Sequence, residues 1–241
     1  MLTELSLMDQ RKPHFDMLQW LPETVGAALI AAAKPRRLPE GGSIYMQEDE
    51  GDEMFRLVSG SVRLSVMGAD GRDLLYLLFA PGDCFGTSSL VDGESRPHTA
   101  EAFEAVELQV FDRSTINRIR RDHPEVNDAL LRLLSRHMRV LSDYFAGATF
   151  DEAPFRLAER LVEVAMNFGE ENEEGILLNA RLSQSQLAAM VGTARQTVNR
   201  LLQTFQDREW IVMRGGGIMI INLAELQMLA KKGARLRAFV D

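Results

Sequence analysis

Between residues 36 and 111 the apolar positions fall in short runs such as "MFRLV", "SVRLSV", "LLYLLF" and "VELQVF". The breakers between them are GG, EGD, SG, ADG and PGD, the residues that tight turns require. "SVRLSV" alternates apolar and polar positions, and "ADG" joins it to "RDLLYLLF" as a hairpin would. Short strands at this spacing predict a β-sandwich or barrel. Ahead of them, "LPETVGAALIAAA" reads as a short helix, and the first ~20 residues as a polar arm.

The pattern then changes period. "EVNDALLRLLSRHMRVLSDYFA" runs from Glu125 without a breaker to Gly147, just after Pro124 at a helix start. Two apolar stripes run along it. One holds Val126, Leu130, Leu133, Val140 and Tyr144, and the other Leu131, Leu134, Met138, Leu141 and Phe145. A surface helix needs only one stripe. A second predicts a second covering surface, for which a symmetry mate in a coiled-coil-like homodimer is the natural candidate. Leu130, Leu133, His137, Val140 and Tyr144 are the expected dimer contacts. The alternative is a helix buried within one domain.

"GATFDEAP" at 147–154 reads as a domain boundary, and "APFRLAERLVEVAMNF" as a further amphipathic helix. An acidic turn, "GEENEEG", precedes a strand-like "ILLNARL". In "LSQSQLAAMVGTARQTVNRLLQTFQ", Ser183 is a natural N-cap of a two-turn helix that Gly192 ends. Thr193 is expected to cap a second helix starting at Ala194. Two short helices around a glycine turn form a helix-turn-helix. In the second helix Val198, Leu201, Leu202 and Phe205 face inward. Arg195, Gln196, Asn199 and Arg200 are left outward on the half that enters a major groove. Arg can bond guanine O6 and N7, and Gln or Asn adenine N6 and N7. "WIVMRGGGIMIIN" follows as a hairpin wing that places Arg214 near phosphate.

Charge sharpens this picture. The net charge is −8, yet residues 193–241 carry eight Lys/Arg against four Asp/Glu. A basic end on an acidic body suits a protein that meets phosphates at one end only. No apolar run approaches the ~20 residues of a membrane span, and the N-terminus lacks a signal-peptide core, so a cytoplasmic location is expected. The single cysteine, Cys84, allows no internal disulfide.

The order of these parts resembles that of the CRP/FNR family of transcription regulators over nearly the full chain. "LSQSQLAAMVGTARQTVNRLL" is similar to the family's DNA-binding signature, and "APFRLAERL" to the helix that opens its DNA-binding domain. "PGDCFGTSSLVDGESRPHTAEA" is similar to the cassette that grips a cyclic-nucleotide phosphate. The resemblance implies an α+β fold. A cyclic-nucleotide-binding-like β-roll would occupy 1–122, a dimerisation helix and hinge 123–149, and a winged helix-turn-helix 150–241. It implies DNA contacts from Ser183, Thr193, Arg195, Gln196, Asn199, Arg200 and Arg214 on a near-palindromic duplex, with RNA polymerase as a further partner. In the cassette, Gly86 matches the opening glycine, followed by Thr87 and Ser88, and Arg96 matches the arginine that pairs with the phosphate. A guanidinium suits that role through two parallel charge-assisted bonds.

The chain departs from the cyclic-AMP-binding pattern at several positions. Thr87 stands where such members have a glutamate, and Pro97, with no N–H to donate, where they have a serine. Leu141 and Ser142 stand where such members have a threonine–serine pair that reads adenine, so only the serine remains. The expected effector is therefore a cyclic nucleotide or another small anion. The alternative is an effector-independent or a redox- or haem-responsive regulator. An iron–sulfur cluster is not expected, since that branch needs about four cysteines. The histidines His14, His98, His123 and His137 are scattered, and no catalytic or metal constellation is read. A cupin-like enzyme is the remote reading.

Overall fold

A computed structural model describes residues 15–69, 73–178, 183–214 and 217–238. His14, most of the arm, the hairpin turn at 70–72, residues 179–182 of the expected strand and the wing turn at 215–216 lie outside the described residues. Residues 13–141 form one compact unit, and residues 142–241 belong to a second.

The N-terminal unit opens with a 3-10 turn, Met17–Trp20, and helix α1, Glu23–Ala32. Its strands are β1 (Lys34–Leu38), β2 (Ser43–Tyr45), β3 (Glu53–Ser59), β4 (Val62–Met67), β5 (Asp73–Phe79), β6 (Cys84–Phe85), β7 (Thr99–Ala102) and β8 (Val106–Asp112). They form two antiparallel four-stranded sheets, in the orders β1-β8-β3-β6 and β2-β7-β4-β5. The short helix α2 (Thr87–Asp92) joins β6 to β7. This is the expected β-roll. The sheets bury an aromatic stack in which Phe85 lies 5.2 Å from Phe55 and 5.1 Å from Phe79. Burial does not follow the alternation of "SVRLSV" at Leu64–Ser65, where both residues are buried and the register with β5 shifts between them. A bulge of this kind sets successive residues to one side.

Helix α3 (Arg113–Asp122) was not foreseen in "DRSTINRIRRDHP". Asp112 caps it by accepting from the Thr115 N–H at 2.7 Å, and Ile116 and Ile119 are buried at the three-residue spacing of one helix face. Helix α4 (Glu125–Phe150) follows. It does not break at Gly147, which is buried and accepts from the Asp151 N–H at 2.9 Å. The break falls at Asp151–Glu152, before Pro154 in the first turn of the next helix.

The first stripe of α4 is the one that the chain itself covers most. Val126, Leu130 and Leu133 are buried in the β-roll core, with Val140 packed against it. His137 lies 4.4 Å from the Phe15 ring, and Tyr144 is half-buried under the Arg160 guanidinium at 4.9 Å. Leu130 and Leu133 are therefore spent on contacts within the chain, and His137, Val140 and Tyr144 are half-buried by it. The apolar surface left open is the other stripe: Leu131 is 62% exposed, Met138 63%, Leu141 49% and Phe145 71%.

Two histidines sit in the N-terminal unit as neutral groups. His98 Nε2 meets the Tyr45 hydroxyl at 2.8 Å, and its pKa is pushed down to about 4 by burial, then by His137 and Arg96. Burial likewise pushes His137 down to about 4. As pH falls from 6.5, the unfolded chain takes up these protons first. Folding stability therefore drops between pH 6.5 and 4, by on the order of 1–3 kcal/mol per histidine. Thermal unfolding across this window checks it: His137→Leu should flatten the slope, and an unchanged slope would remove His137 from the account.

Candidate DNA interface and β-roll cassette

The C-terminal unit is built on helix α5 (Ala153–Phe168), which buries Leu157, Ala158, Leu161, Val164 and Ala165. Strands β9 (Gly169–Asn172) and β10 (Gly175–Leu178) lead to helices α6 (Gln184–Val191) and α7 (Arg195–Asp207). Strands β11 (Ile211–Arg214) and β12 (Gly217–Ile220) and helix α8 (Leu223–Ala238) complete it. The sheet order β11-β12-β10-β9 attaches the wing to the acidic hairpin.

Local chemistry sets the two helices. Ser183 and Gln186 form a reciprocal cap: Ser183 Oγ accepts from the Gln186 N–H at 3.2 Å, and Gln186 Oε1 accepts from the Ser183 N–H at 2.8 Å. Gly192 closes α6 at φ 63°, a left-handed conformation open to glycine. Thr193 does not cap the next helix. Its N–H bonds the Ala188 carbonyl, while Ala194 takes the N-cap position without a side-chain bond. Val198, Leu202 and Phe205 anchor α7 in the core, and Arg195, Gln196, Asn199 and Arg200 are exposed along its N-terminal half. No carboxylate lies in α7 before Asp207.

Two polar contacts shape this surface, and the sequence reading missed both. Gln184 Nε2, at the start of α6, donates to Asn199 Oδ1 at 2.8 Å. Arg214 does not stand open to phosphate: its Nη1 pairs with Glu174 of the β9–β10 turn at 2.7 Å. Both partners are well exposed, so the pair is worth ~0–1 kcal/mol and phosphate can compete for Arg214. The clue was the acidic "GEENEEG", whose turn the sheet brings beside the wing.

In the β-roll, Gly86 holds φ 75° at the start of α2. Arg96 is only 3% exposed. It donates to the carbonyls of Gly86 (2.9 Å) and Glu53 (2.8 Å) and lies 4.3 Å from the Tyr45 ring. Its Nε and Thr87 Oγ1 are buried without a hydrogen-bond partner among the described residues. Burial lowers the Arg96 pKa, while Tyr45 and the carboxylates Glu53, Asp52 and Asp49 act the other way. Gly51 was also missed. A Cβ there would come within 2.4 Å of Ser89 Cβ and 2.8 Å of Arg96 Nε. Arg113 ties this loop down by donating to the Gly51 and Ser89 carbonyls. Ser88 is half-buried, whereas Pro97 and, on α4, Leu141 and Ser142 are exposed. Cys84 is buried and its thiol is pushed up to about 12 by that burial, so it holds no thiolate at neutral pH.

Comparison with known proteins accounts for both halves. The family model of the cyclic nucleotide-binding domain matches residues 35–123, and that of the Crp-like helix-turn-helix domain residues 155–229. A Cyclic AMP receptor protein from Thermus thermophilus is 31% identical over 205 residues, covering 85% of this chain and 91% of the relative. The chain belongs to the CRP/FNR family of transcription regulators. A CRP-like cAMP-activated global transcriptional regulator from Mycobacterium tuberculosis is 29% identical over 224 residues, 93% of this chain and all of the relative. A solved CRP-family transcriptional regulator from Thermus thermophilus superposes with a TM-score of 0.71 at 25% identity, covering 81% of this chain and 96% of that one. As in other CRP/FNR members, the helix-turn-helix binds DNA and the fold is α+β. Among the described residues no helix is long and apolar enough to cross a membrane.

With α7 as the DNA-reading helix of a CRP/FNR protein, Arg195→Ala is expected to cost about 1–3 kcal/mol of specific DNA affinity and to relax preference at one position per half-site. Competition between matched and mismatched duplexes measures it. Unchanged affinity and preference would remove Arg195 from the reading set.

Proposed function

We propose that this regulator acts as a homodimer, reads a near-palindromic DNA site, and is governed by a small anion bound in the β-roll. The observation that carries the reading is the exposed, acid-free N-terminal half of α7, with Arg195, Gln196, Asn199 and Arg200 on one outward face. Ser183, Thr193 and Arg214 would contribute contacts beside it. Residues 1–122 would sense, 123–149 join two copies, and 150–241 bind DNA. The open stripe of Leu131, Met138, Leu141 and Phe145 on α4 suits a symmetry mate. Two α7 helices so joined would meet successive major grooves ~34 Å apart.

Arg96 is the proposed effector contact, near Gly86, Thr87, Ser88 and Pro97. Support comes from the buried, unpartnered Arg96 Nε and Thr87 Oγ1 and from the relatives named for cyclic AMP. An anion would have to draw the guanidinium from the Gly86 and Glu53 carbonyls. That exchange distinguishes two states, which a ligand can bias only by its difference in affinity for them. His137 of α4 hydrogen-bonds the Cys84 backbone two residues before Gly86, which would carry such a change to α4. Leu141 and Ser142 would meet the effector from α4.

Fluorescence anisotropy of a labelled target duplex, with and without cyclic AMP, tests the reading. Tighter DNA binding with the nucleotide, lost in Arg96→Lys, is expected. Equal affinity with and without it, alongside intact specific binding, would exclude cyclic AMP and favour a permanent Arg96 clamp.

A further inference from the structure

The bond between Gln184 and Asn199 bears on which base the protein selects, given the reading that α7 faces the major groove. A carboxamide presents an acceptor at one end and a donor at the other, in nearly the same shape. Left alone, Asn199 could turn either end toward a base with little difference in packing. The 2.8 Å bond from Gln184 Nε2 to Asn199 Oδ1 couples the two carboxamides, so that Asn199 can turn over only if Gln184 turns with it. It holds the oxygen toward α6 and leaves both Nδ2 hydrogens for another acceptor.

The surroundings hold the pair in place. Gln184 is half-buried at the first position of α6, directly after the Ser183–Gln186 cap, so its backbone is fixed. Asn199 is exposed, and the shallow hollow that it lines is otherwise formed by Gln196, Arg200 and Gln203, none of them a carboxylate. We propose that Gln184 is a specificity-determining residue: it presents Asn199 to the groove as a hydrogen-bond donor. The base facing Asn199 is then one with acceptors on its major-groove edge. Guanine, with O6 and N7, is favoured over cytosine, whose edge there offers only the N4 donor. Asn199 thus departs from the adenine-reading role that its residue type alone suggests. Gln184 keeps a second N–H, which suits a backbone phosphate.

The sharpest test reverses the polarity of the pair. In Gln184→Glu the carboxylate can only accept, so it captures an Asn199 N–H and turns Oδ1 toward the DNA. Full-length protein is tested against duplexes in which each base of its selected site is varied in turn. Wild type is expected to favour guanine over cytosine by about tenfold at one position per half-site. Gln184→Ala and Asn199→Ala should level that position, and their double variant should add nothing further there. Gln184→Glu should move the preference at that position to adenine or cytosine, with the order at other positions unchanged. Each comparison is a ratio within one protein, so the uniform loss of affinity from the added charge cancels. Circular dichroism confirms that each variant is folded. Wild-type ratios persisting at every position in both Gln184 variants would overturn the proposal. A wild type that selects no sequence at all would instead bring down the DNA reading on which it rests.

Discussion

A protein carrying Met138→Glu together with Leu141→Glu is expected to sediment as a monomer and to lose ~100-fold or more in specific DNA affinity. Both side chains lie on the open stripe of α4, 63% and 49% exposed in the single chain, so the changes cost the fold little. At the steps of three and four residues along a coiled-coil seam, each would face the partner helix. Two glutamates per chain would bring four carboxylates into one interface, where their desolvation and mutual repulsion oppose association. Two linked recognition helices bind one duplex far more tightly than either alone, by factors of 10²–10⁴. Loss of the dimer therefore reads out as loss of affinity. Analytical ultracentrifugation and anisotropy decide it, and a variant that remains dimeric would place the interface elsewhere.

Leu133→Ala, on the buried face of the same helix, is expected to act through the fold. Leu133 has no exposed surface and sits in the β-roll core with Val126, Ala129 and Leu130. Truncating such a side chain removes its transfer energy and leaves a cavity, for a loss of about 2–5 kcal/mol. Denaturant unfolding should show this as a lower midpoint, while the folded fraction still dimerises. A variant with wild-type stability that dissociates instead would return Leu133 to the interface and reverse the assignment of the two faces.

That assignment marks where the amino-acid pattern stops informing. The spacing of Val126, Leu130 and Leu133 against Leu131, Met138 and Leu141 shows that α4 has two apolar faces. Periodicity carries no record of which face the chain itself covers. Local signals were read more accurately. Ser183 and Gly192 bound α6 as expected, because caps and left-handed turns are decided within a few residues. Helix α3 escaped notice although Asp112, Ile116 and Ile119 carried its signature. The turns of the β-roll were legible, but the bulge at Leu64–Ser65 depends on the partner strand.

The candidate sites divide in the same way. Arg195, Gln196, Asn199 and Arg200 could be picked out from helical spacing. Their polar partners could not, since Gln184 meets Asn199, and Glu174 meets Arg214, only through tertiary folding. In the cassette, Arg96 was found by resemblance. Its ties to Glu53 and its closeness to Gly51 join segments some 40 residues apart and leave no mark in either segment.

Selection of bound duplexes from a random pool by the full-length protein tests whether a dimer reads two half-sites. The account predicts an inverted repeat whose half-sites are centred about one helical turn, ~34 Å, apart, with two chains on each duplex. A single enriched half-site bound by one chain, or no enriched sequence at all, would contradict it.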